Sequence, residues 1–211
     1  MELLLKLYKQ EGNWTKFKLI INAVVIISIV NFPNQWPEYL ENLSMMISTE
    51  DFVHIYVALS CCKGTLKFFK KNNWDQEIDL IFTKLIFRMI ELLALLSNNF
   101  EIESLKIKKE VIGILHLKMT CKNVSSLMPI LFSEIKSFQQ ITEENLGNEQ
   151  KDLIINISSK ILKFFNGVAD NYADIDDWDY EDYGVNQEFT QWYFKQIADF
   201  WYICSQNGKD S

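Results

Sequence analysis

The apolar residues of this chain recur every three or four positions over long stretches, and this spacing restricts the fold more than any other feature. The clearest case is residues 75–99, DQEIDLIFTKLIFRMIELLALLSNN. Residues with such spacing lie along one face of an α-helix. The predicted apolar stripe consists of Ile78, Ile81, Phe82, Leu85, Met89, Leu92, Leu93 and Leu96. Residues 151–172 repeat the pattern, and no stretch shows a convincing series of alternating β-strands.

Helices with short connections are predicted to make up most of the 211 residues. Only seven glycines and three prolines are present, which is too few for a turn-rich β-sandwich. The predicted helices span about 2–10, 14–31, 37–47, 51–71, 75–97, 102–122, 126–140, 150–172 and 187–206.

After the first short helix, the predicted helices pair naturally. The pairs begin about 37 to 51 residues apart, which brackets the period of HEAT-type repeats. Stacked antiparallel pairs form an α-solenoid, in which each pair buries its apolar face against its neighbours. We therefore predict an all-α fold, a single α-solenoid domain of about four HEAT-like helix pairs over residues 1–211. A compact helical bundle is the alternative.

Single residues predict three of the helix starts. Asn73 is expected to cap the helix that begins near residue 75. Ser48 and Asp51 have the spacing of a capping box, with Asp in place of the usual Glu. Pro129 lies near the predicted start at 126, where a missing backbone N–H is tolerated.

Charge and cysteine content argue against several classes of protein. A net charge of −7 and a pI near 5.0 argue against a nucleic-acid binder and are compatible with a basic protein as partner.

The apolar residues 19–32 are too few to span a bilayer, so we predict a core helix there. The four cysteines form no C-x-x-C pair and are expected to be buried free thiols.

The sequence gives little support for catalysis. His54 and His116 each lie within a helical pattern, and we expect neither to have an acidic or thiol neighbour at ligand spacing. There is no P-loop, no Gly-x-Gly and no G-x-S-x-G pattern. We therefore predict that the protein is not an enzyme and has no catalytic residue, cofactor or metal site. An enzyme with a dispersed site would need turnover that depends on His54 or His116.

Two of the three prolines lie four residues apart, in the short stretch 31–43, NFPNQWPEYLENL. Pro33 disfavours α geometry at Phe32 and so helps to end the preceding helix. Pro37 suits the first position of the next helix, because its fixed φ is already helical. Phe32 and Trp36 are expected to fill the space between the two helices. We therefore predict a structural turn built by Phe32, Pro33, Trp36 and Pro37, and expect Trp36→Ala to cost about 3 kcal/mol.

This turn resembles one in the N-terminal third of importin-beta (karyopherin) superfamily receptors. The matching residues are Phe32, Pro33, Trp36, Pro37 and Leu40, with Asn31 in place of the usual Asp. Residues 55–72, IYVALSCCKGTLKFFKKN, look like the next helix of the same receptors. The order of the later segments is also similar, and the importin seven/eight group or the CAS exporter is the nearest subgroup.

The resemblance implies an α-solenoid that carries proteins through nuclear pores under the control of the GTPase Ran, and so a location in cytoplasm and nucleus. Receptors of this family are several times longer, and their first repeats would lie before Met1. The chain is therefore expected to be a fragment, an incomplete gene model or a shortened relative. No Ran-contact residues are carried over.

The stretch 170–184, DNYADIDDWDYEDYG, is expected to be an exposed inter-helix loop within about 170–188, because so many carboxylates cannot share a buried face. A solvated loop is the simpler interpretation. The alternative is a contact for a basic segment of cargo, in which the rings pack against Lys or Arg. The predicted partner-binding residues are Asp174, Asp176, Asp177, Trp178, Asp179, Tyr180, Glu181 and Asp182. The aromatic segment 188–203 is a weaker candidate for docking a subunit or a further repeat.

Two functional hypotheses follow. The first is a transport receptor of the importin-beta type, or a fragment of one, that binds basic protein cargo on an acidic and aromatic solenoid face, with Ran as a further partner. The second is a HEAT-repeat scaffold subunit of a larger assembly that has lost transport and binds a neighbouring subunit. Neither involves nucleic acid or a membrane.

Overall fold

The computed structural model of the chain describes residues 14–118, 121–140, 146–173 and 195. Within these ranges the secondary structure is entirely helical. The helices are α1 (Trp14–Asn31), α2 (Tyr39–Ile47), α3 (Phe52–Lys71), α4 (Asp75–Leu95), α5 (Ile102–Leu115), α6 (Cys121–Gln140) and α7 (Asn148–Ala173). The helices predicted at 2–10 and 187–206 lie outside the described residues, apart from residue 195.

The helices pack in two layers. In the first layer α1, α3, α5 and α7 lie side by side, each against the next. In the second layer α2 packs on α4, and α4 packs on α6. Across the layers α2 contacts α3, α4 contacts both α3 and α5, and α6 contacts α7. The prediction of an all-α, helical-repeat fold is confirmed, with three stacked pairs and the first helix of a fourth in the described residues.

The apolar stripes predicted from the sequence face the contact between the layers. All eight residues of the stripe predicted within 75–99 are buried, seven of them in α4 and Leu96 directly after it. In α7 the residues Ile157, Ile161, Phe164 and Phe165 are buried as well. In the first layer α1 and α3 approach closely at Gly64, where an added Cβ would lie 2.7 Å from Cγ2 of Val25. Stripe burial of this kind supplies most of the stability of a helical repeat, because propensity alone does not hold such helices together.

Two predicted helix starts are wrong. Helix α2 begins at Tyr39 and not at Pro37. The N–H of Tyr39 donates to the carbonyl of Trp36 (3.2 Å), so Pro37 occupies the second position of a β-turn, where its φ fits equally well. Asn73 does not cap α4: its φ of 58° is left-handed, and it follows the C-cap of α3. A left-handed Asn at that place ends a helix.

Two further local predictions are also wrong. Ser48 is the C-cap of α2, and Asp51 caps α3 by itself by accepting a hydrogen bond from the Val53 N–H at 2.8 Å. Pro129 lies inside α6, because that helix begins at Cys121 and the preceding helix ends at Leu115. Residues 116–120 contain no glycine or proline, so the sequence does not mark this break.

Three buried hydroxyls join α1, α2 and α3. Thr65 Oγ1 lies 2.9 Å from both the Tyr39 hydroxyl and Ser28 Oγ. Ser28 Oγ also donates to the Val25 carbonyl at 2.7 Å. Because buried polar groups are costly without partners, this chain of hydrogen bonds fixes the relative position of the three helices. Burial raises the pKa of the Tyr39 hydroxyl, which therefore stays protonated and can donate.

The prediction that the cysteines are buried free thiols is confirmed for the two whose side chains the structure describes. Cys61 and Cys62 are buried free thiols on α3. Burial raises the pKa of Cys61 to about 12, so its thiol is protonated and unreactive at neutral pH. In the described part of the chain, no helix has the length and apolar character needed to cross a membrane.

Candidate functional site

The predicted partner-binding residues Asp174, Asp176, Asp177, Trp178, Asp179, Tyr180, Glu181 and Asp182 lie outside the described residues. The same is true of the aromatic rings in the segment 188–203. Three features of the described residues are candidates for function. They are the proline turn, a cluster of lysines on the first layer, and an apolar stripe on α1.

The proline turn is a packed corner between α1 and α2. Phe32 is buried, and its ring lies 5.9 Å from the Tyr39 ring and 6.4 Å from the Phe69 ring, measured between centroids. Trp36 is half-buried, with its ring centroid 4.9 Å from that of Tyr39. The Phe32–Pro33 peptide bond is cis. Both rings therefore face this protein's own helices, and Phe32 is the more enclosed of the two.

The two histidines have different surroundings. Nδ1 of His54 lies 3.1 Å from Oδ2 of Asp51, so the expectation that neither histidine has an acidic neighbour is wrong. Burial works against ionisation of Asp51, but hydrogen bonds from the Val53 N–H and from His54 hold its pKa below its usual value. His116 is exposed and lies among lysines. Among the residues that the structure describes, no three His, Cys, Asp or Glu side chains gather as metal ligands.

A cluster of basic side chains covers the C-terminal halves of α3, α5 and α7, which are neighbours in the first layer. We name it the lysine face. It consists of Lys63, Lys67 and Lys70 on α3, Lys109 on α5, His116 directly after α5, and Lys160 and Lys163 on α7. Such a concentration of positive charge is unexpected in a chain with a net charge of −7.

Gly113 on α5 makes room for the centre of the lysine face. A Cβ at this position would lie 2.9 Å from Nζ of Lys160 and 3.2 Å from Nζ of Lys63. Nζ of Lys160 donates to the backbone carbonyl of Lys109 (2.9 Å), one helical turn before the glycine. Glycine within a helix costs about 1 kcal/mol relative to alanine. Here it allows two ammonium groups to reach the backbone of α5.

The charges around Lys160 are only partly balanced. Burial, and then the charge of the nearby Lys63, lower its pKa to about 8, while Glu110 acts in the opposite direction. Glu110 accepts a hydrogen bond from Lys63 at 2.7 Å, with both side chains largely buried. Burial, and then the charges of Lys70, Lys163 and Lys160, also lower the pKa of His116. The lysine face is therefore a region where positive charges repel one another.

Lys160 is expected to titrate near pH 8, well below the ordinary lysine value of about 10.4. Because its pKa is lower in the folded than in the unfolded chain, the unfolded chain binds more protons between these values. The free energy of unfolding should therefore rise with pH across this window, and Lys160→Met should remove that part of the rise. NMR titration of lysines labelled at Cε measures the pKa, and Lys160→Arg assigns the resonance. Titration of every lysine above pH 10 would contradict this prediction.

An apolar stripe runs along the exposed side of α1. Leu19, Ile26, Ile27 and Val30 are 63%, 61%, 51% and 73% exposed, respectively. Their spacing places them on one side of the helix. Within the described first layer, α1 packs against α3 on one side only. A row of large exposed apolar residues marks a surface that other protein surface can cover.

The sequence carries part of the signal for the lysine face. Lys63, Lys67 and Lys70 are spaced four and three residues apart, and Lys160 and Lys163 three apart, so each set lies on one helical face. The order of the helices in the first layer brings the two sets together across α5.

Searches against protein-family models, curated proteins and solved structures give no match for this chain.

Proposed function

We propose that this chain is a protein-binding helical-repeat module, and that it acts as an importin-beta-like nucleocytoplasmic transport receptor or as a fragment of one. The observation that carries the proposal is the two-layer stack of helix pairs. Such a stack presents an extended surface formed by many helices, which is the geometry that repeat proteins use to bind other proteins. The proline corner between α1 and α2 supports the importin-beta comparison through its residues, not through any detected relative.

Basic protein cargo is the partner proposed for the acidic segment. Residues 174–182 carry six carboxylates and two large aromatic rings. Carboxylates bind Lys and Arg through charge-assisted hydrogen bonds, and aromatic rings stack on guanidinium groups. Binding of this kind weakens as salt is added, because exposed charges are screened.

The test is binding of a fluorescein-labelled Lys- and Arg-rich peptide to the full chain at low and high salt. We expect binding at low salt that falls by about tenfold in the triple variant D176N/D177N/D179N, a loss of about 1.4 kcal/mol. The matched control is E38Q/E41Q/E50Q, which removes the same number of charges from exposed positions around α2. Equal losses in the two variants would show that only net charge matters, and would contradict the proposed contact.

Ran–GTP is the second probe. A transport receptor of this type should bind Ran loaded with GTP more tightly than Ran loaded with GDP. A pulldown from native extract, with and without GTP-loaded Ran, followed by mass spectrometry, identifies cargo released by the GTPase. Indifference of every bound protein to Ran–GTP would overturn the transport proposal and leave the protein-binding module intact.

A scaffold subunit of a larger assembly is the second candidate, and the apolar stripe on α1 favours it. The proposed occupant is a helix pair of a neighbouring subunit, which would continue the stacking of the first layer beyond α1. The double variant I26K/V30K should then lose a co-purifying subunit while keeping the same melting temperature, because both residues are exposed. The control is F87K, which alters an exposed apolar residue on α4. Retention of every bound protein by I26K/V30K would contradict this candidate.

A further inference from the structure

We propose that the lysine face binds an acidic segment, rich in Asp and Glu, of a partner protein. The proposal is independent of the basic cargo discussed above, because it concerns different residues and the opposite charge. It rests on three observations, which are the local balance of charge, the hydrogen-bond donors that remain available, and the size of the face.

The charge balance on this surface is strongly positive. The charged groups that act on Lys160 and His116 include one carboxylate, that of Glu110. The lysines in the same set are Lys63, Lys67, Lys70, Lys109, Lys160 and Lys163. Repulsion among these lysines falls when an anion binds between them. A bound carboxylate would therefore be favoured over water at this site.

Hydrogen-bond donors remain available on the lysine face. An ammonium group has three N–H donors. Lys63 donates to Glu110, Lys160 to the Lys109 carbonyl and Lys70 to the Leu117 carbonyl. These bonds hold the ammonium groups against α5 and leave further donors on each for a ligand. Lys67 and Lys163 are exposed at the two flanks, on α3 and α7.

Size and net charge favour an acidic protein segment over other anions. From Lys63 to Lys70 the helix rises by about 10 Å, and three neighbouring helices span about 16–20 Å. This area exceeds a single phosphate and suits several side chains of one peptide. A long nucleic acid would extend beyond the face and meet the field of a chain whose net charge is −7. Screening limits the field seen by a short segment to about 8–10 Å, so the local lysines dominate.

The electrostatic state of Lys160 is consistent with this inference. Its pKa of about 8 means that burial and neighbouring cations work against its charge in the free protein. A carboxylate bound next to Nζ would oppose both effects and raise that pKa. Binding should therefore move the NMR titration midpoint of Lys160 toward the ordinary lysine value, a readout that is separate from affinity.

The test is fluorescence anisotropy with a short labelled peptide of alternating glutamate and glycine, added to the full chain at low salt. We expect K67E/K163E to raise Kd by about tenfold. Both positions are exposed, so the fold should be retained. The matched control is K84E/K136E, which makes the same change of charge at exposed positions on α4 and α6 in the second layer. This control should leave Kd within about twofold of the unaltered protein.

A second variant tests the geometry and not the charge. Gly113→Ala keeps every lysine but places a methyl group where the two ammonium groups lie. The lysine ends are flexible, so the helix should remain folded, and circular dichroism checks this. We expect weaker peptide binding and a higher pKa for Lys160 in the free variant.

Several outcomes would overturn the proposal. One is the absence of peptide binding at low salt, and another is an equal loss in K67E/K163E and K84E/K136E. Tighter binding of a duplex DNA oligonucleotide or of inorganic phosphate than of the peptide would show that the ligand class is wrong. Neither set of variants touches residues 174–182, so failure here leaves the test of the basic cargo unaffected.

Discussion

Lys108→Met is expected to destabilise the protein by about 3–5 kcal/mol, although methionine is apolar and similar in length. Nζ of Lys108 on α5 lies 2.7 Å from Oε2 of Glu134 on α6, and both side chains are fully buried. The substitution leaves the Glu134 carboxylate in the core without its opposite charge. A buried, unpaired carboxylate costs far more than the lost ion pair itself contributes.

The surroundings of the pair offer little replacement for Lys108. Nζ lies 5.3 Å from the ring centroid of Phe100 and 5.7 Å from that of Phe138, so two aromatic rings stabilise the cation. Oε1 of Glu134, and Oγ of Ser104 one helical turn before Lys108, have no hydrogen-bond partner in the described part of the chain. The carboxylate is therefore stabilised mainly by Lys108.

The loss of stability in the Lys108→Met variant should increase with pH. Burial already raises the pKa of Glu134, and loss of the lysine raises it further. A carboxyl whose pKa is higher in the folded chain stabilises the fold below its unfolded value of about 4.3, and this contribution is lost as pH rises. The deficit of the variant relative to the unaltered protein should therefore be smaller near pH 4 than at pH 7. Urea unfolding at the two pH values measures it.

The double variant K108M/E134L tests how strongly Lys108 and Glu134 stabilise each other. Replacing a buried ion pair by apolar residues of similar volume is often neutral or stabilising. We expect the double variant to recover most of the stability that Lys108→Met loses, giving a coupling energy of several kcal/mol in the double-mutant cycle. Additive losses in the two single variants would show that the two charges are not stabilised by each other.

The sequence predicts long helices well because the apolar period is visible locally. The prediction of 14–31 coincides with α1, and the stripe of α4 is buried throughout. The break after Leu115 was missed because residues 116–120 carry no glycine or proline. The chain leaves α5 there to enter the second layer, which is a requirement of tertiary packing and not of local propensity.

Charged residues are harder to place than apolar ones. Lys108 and Lys109 are adjacent in the sequence, yet Lys108 is buried against Glu134 and Lys109 is part of the lysine face. A lysine in the sequence normally predicts an exposed side chain. The spacing of Leu105, Ile112 and Leu115 places Lys108 on the apolar side of α5. Only the position of α6 relative to α5 brings Glu134 next to it, and no local pattern carries that part of the information. The lysine face depends in the same way on the order of α3, α5 and α7.

Phe32→Ala is expected to cost about 3–5 kcal/mol, the range for deleting a buried aromatic side chain. The Phe32 ring is 6% exposed and lies between the rings of Tyr39 and Phe69, so its removal opens a cavity between α1, α2 and α3. Trp36→Ala should cost less, about 1–2 kcal/mol, because that ring is only half-buried. The largest loss of stability expected at this corner is therefore that of Phe32→Ala and not that of Trp36→Ala.

Denaturant unfolding of both variants, with Phe32→Leu as a control for lost aromatic contacts, tests this order. Leucine fills much of the same volume, so Phe32→Leu should cost about 1 kcal/mol, the part due to ring–ring contact. A larger loss for Trp36→Ala than for Phe32→Ala would mean that the tryptophan closes the corner. Because Tyr39 contacts Phe32 and also bonds Thr65, the Phe32→Ala cavity should also loosen the hydrogen bonds that join α1, α2 and α3. Faster hydrogen exchange in all three helices, and not only at the turn, would report that coupling.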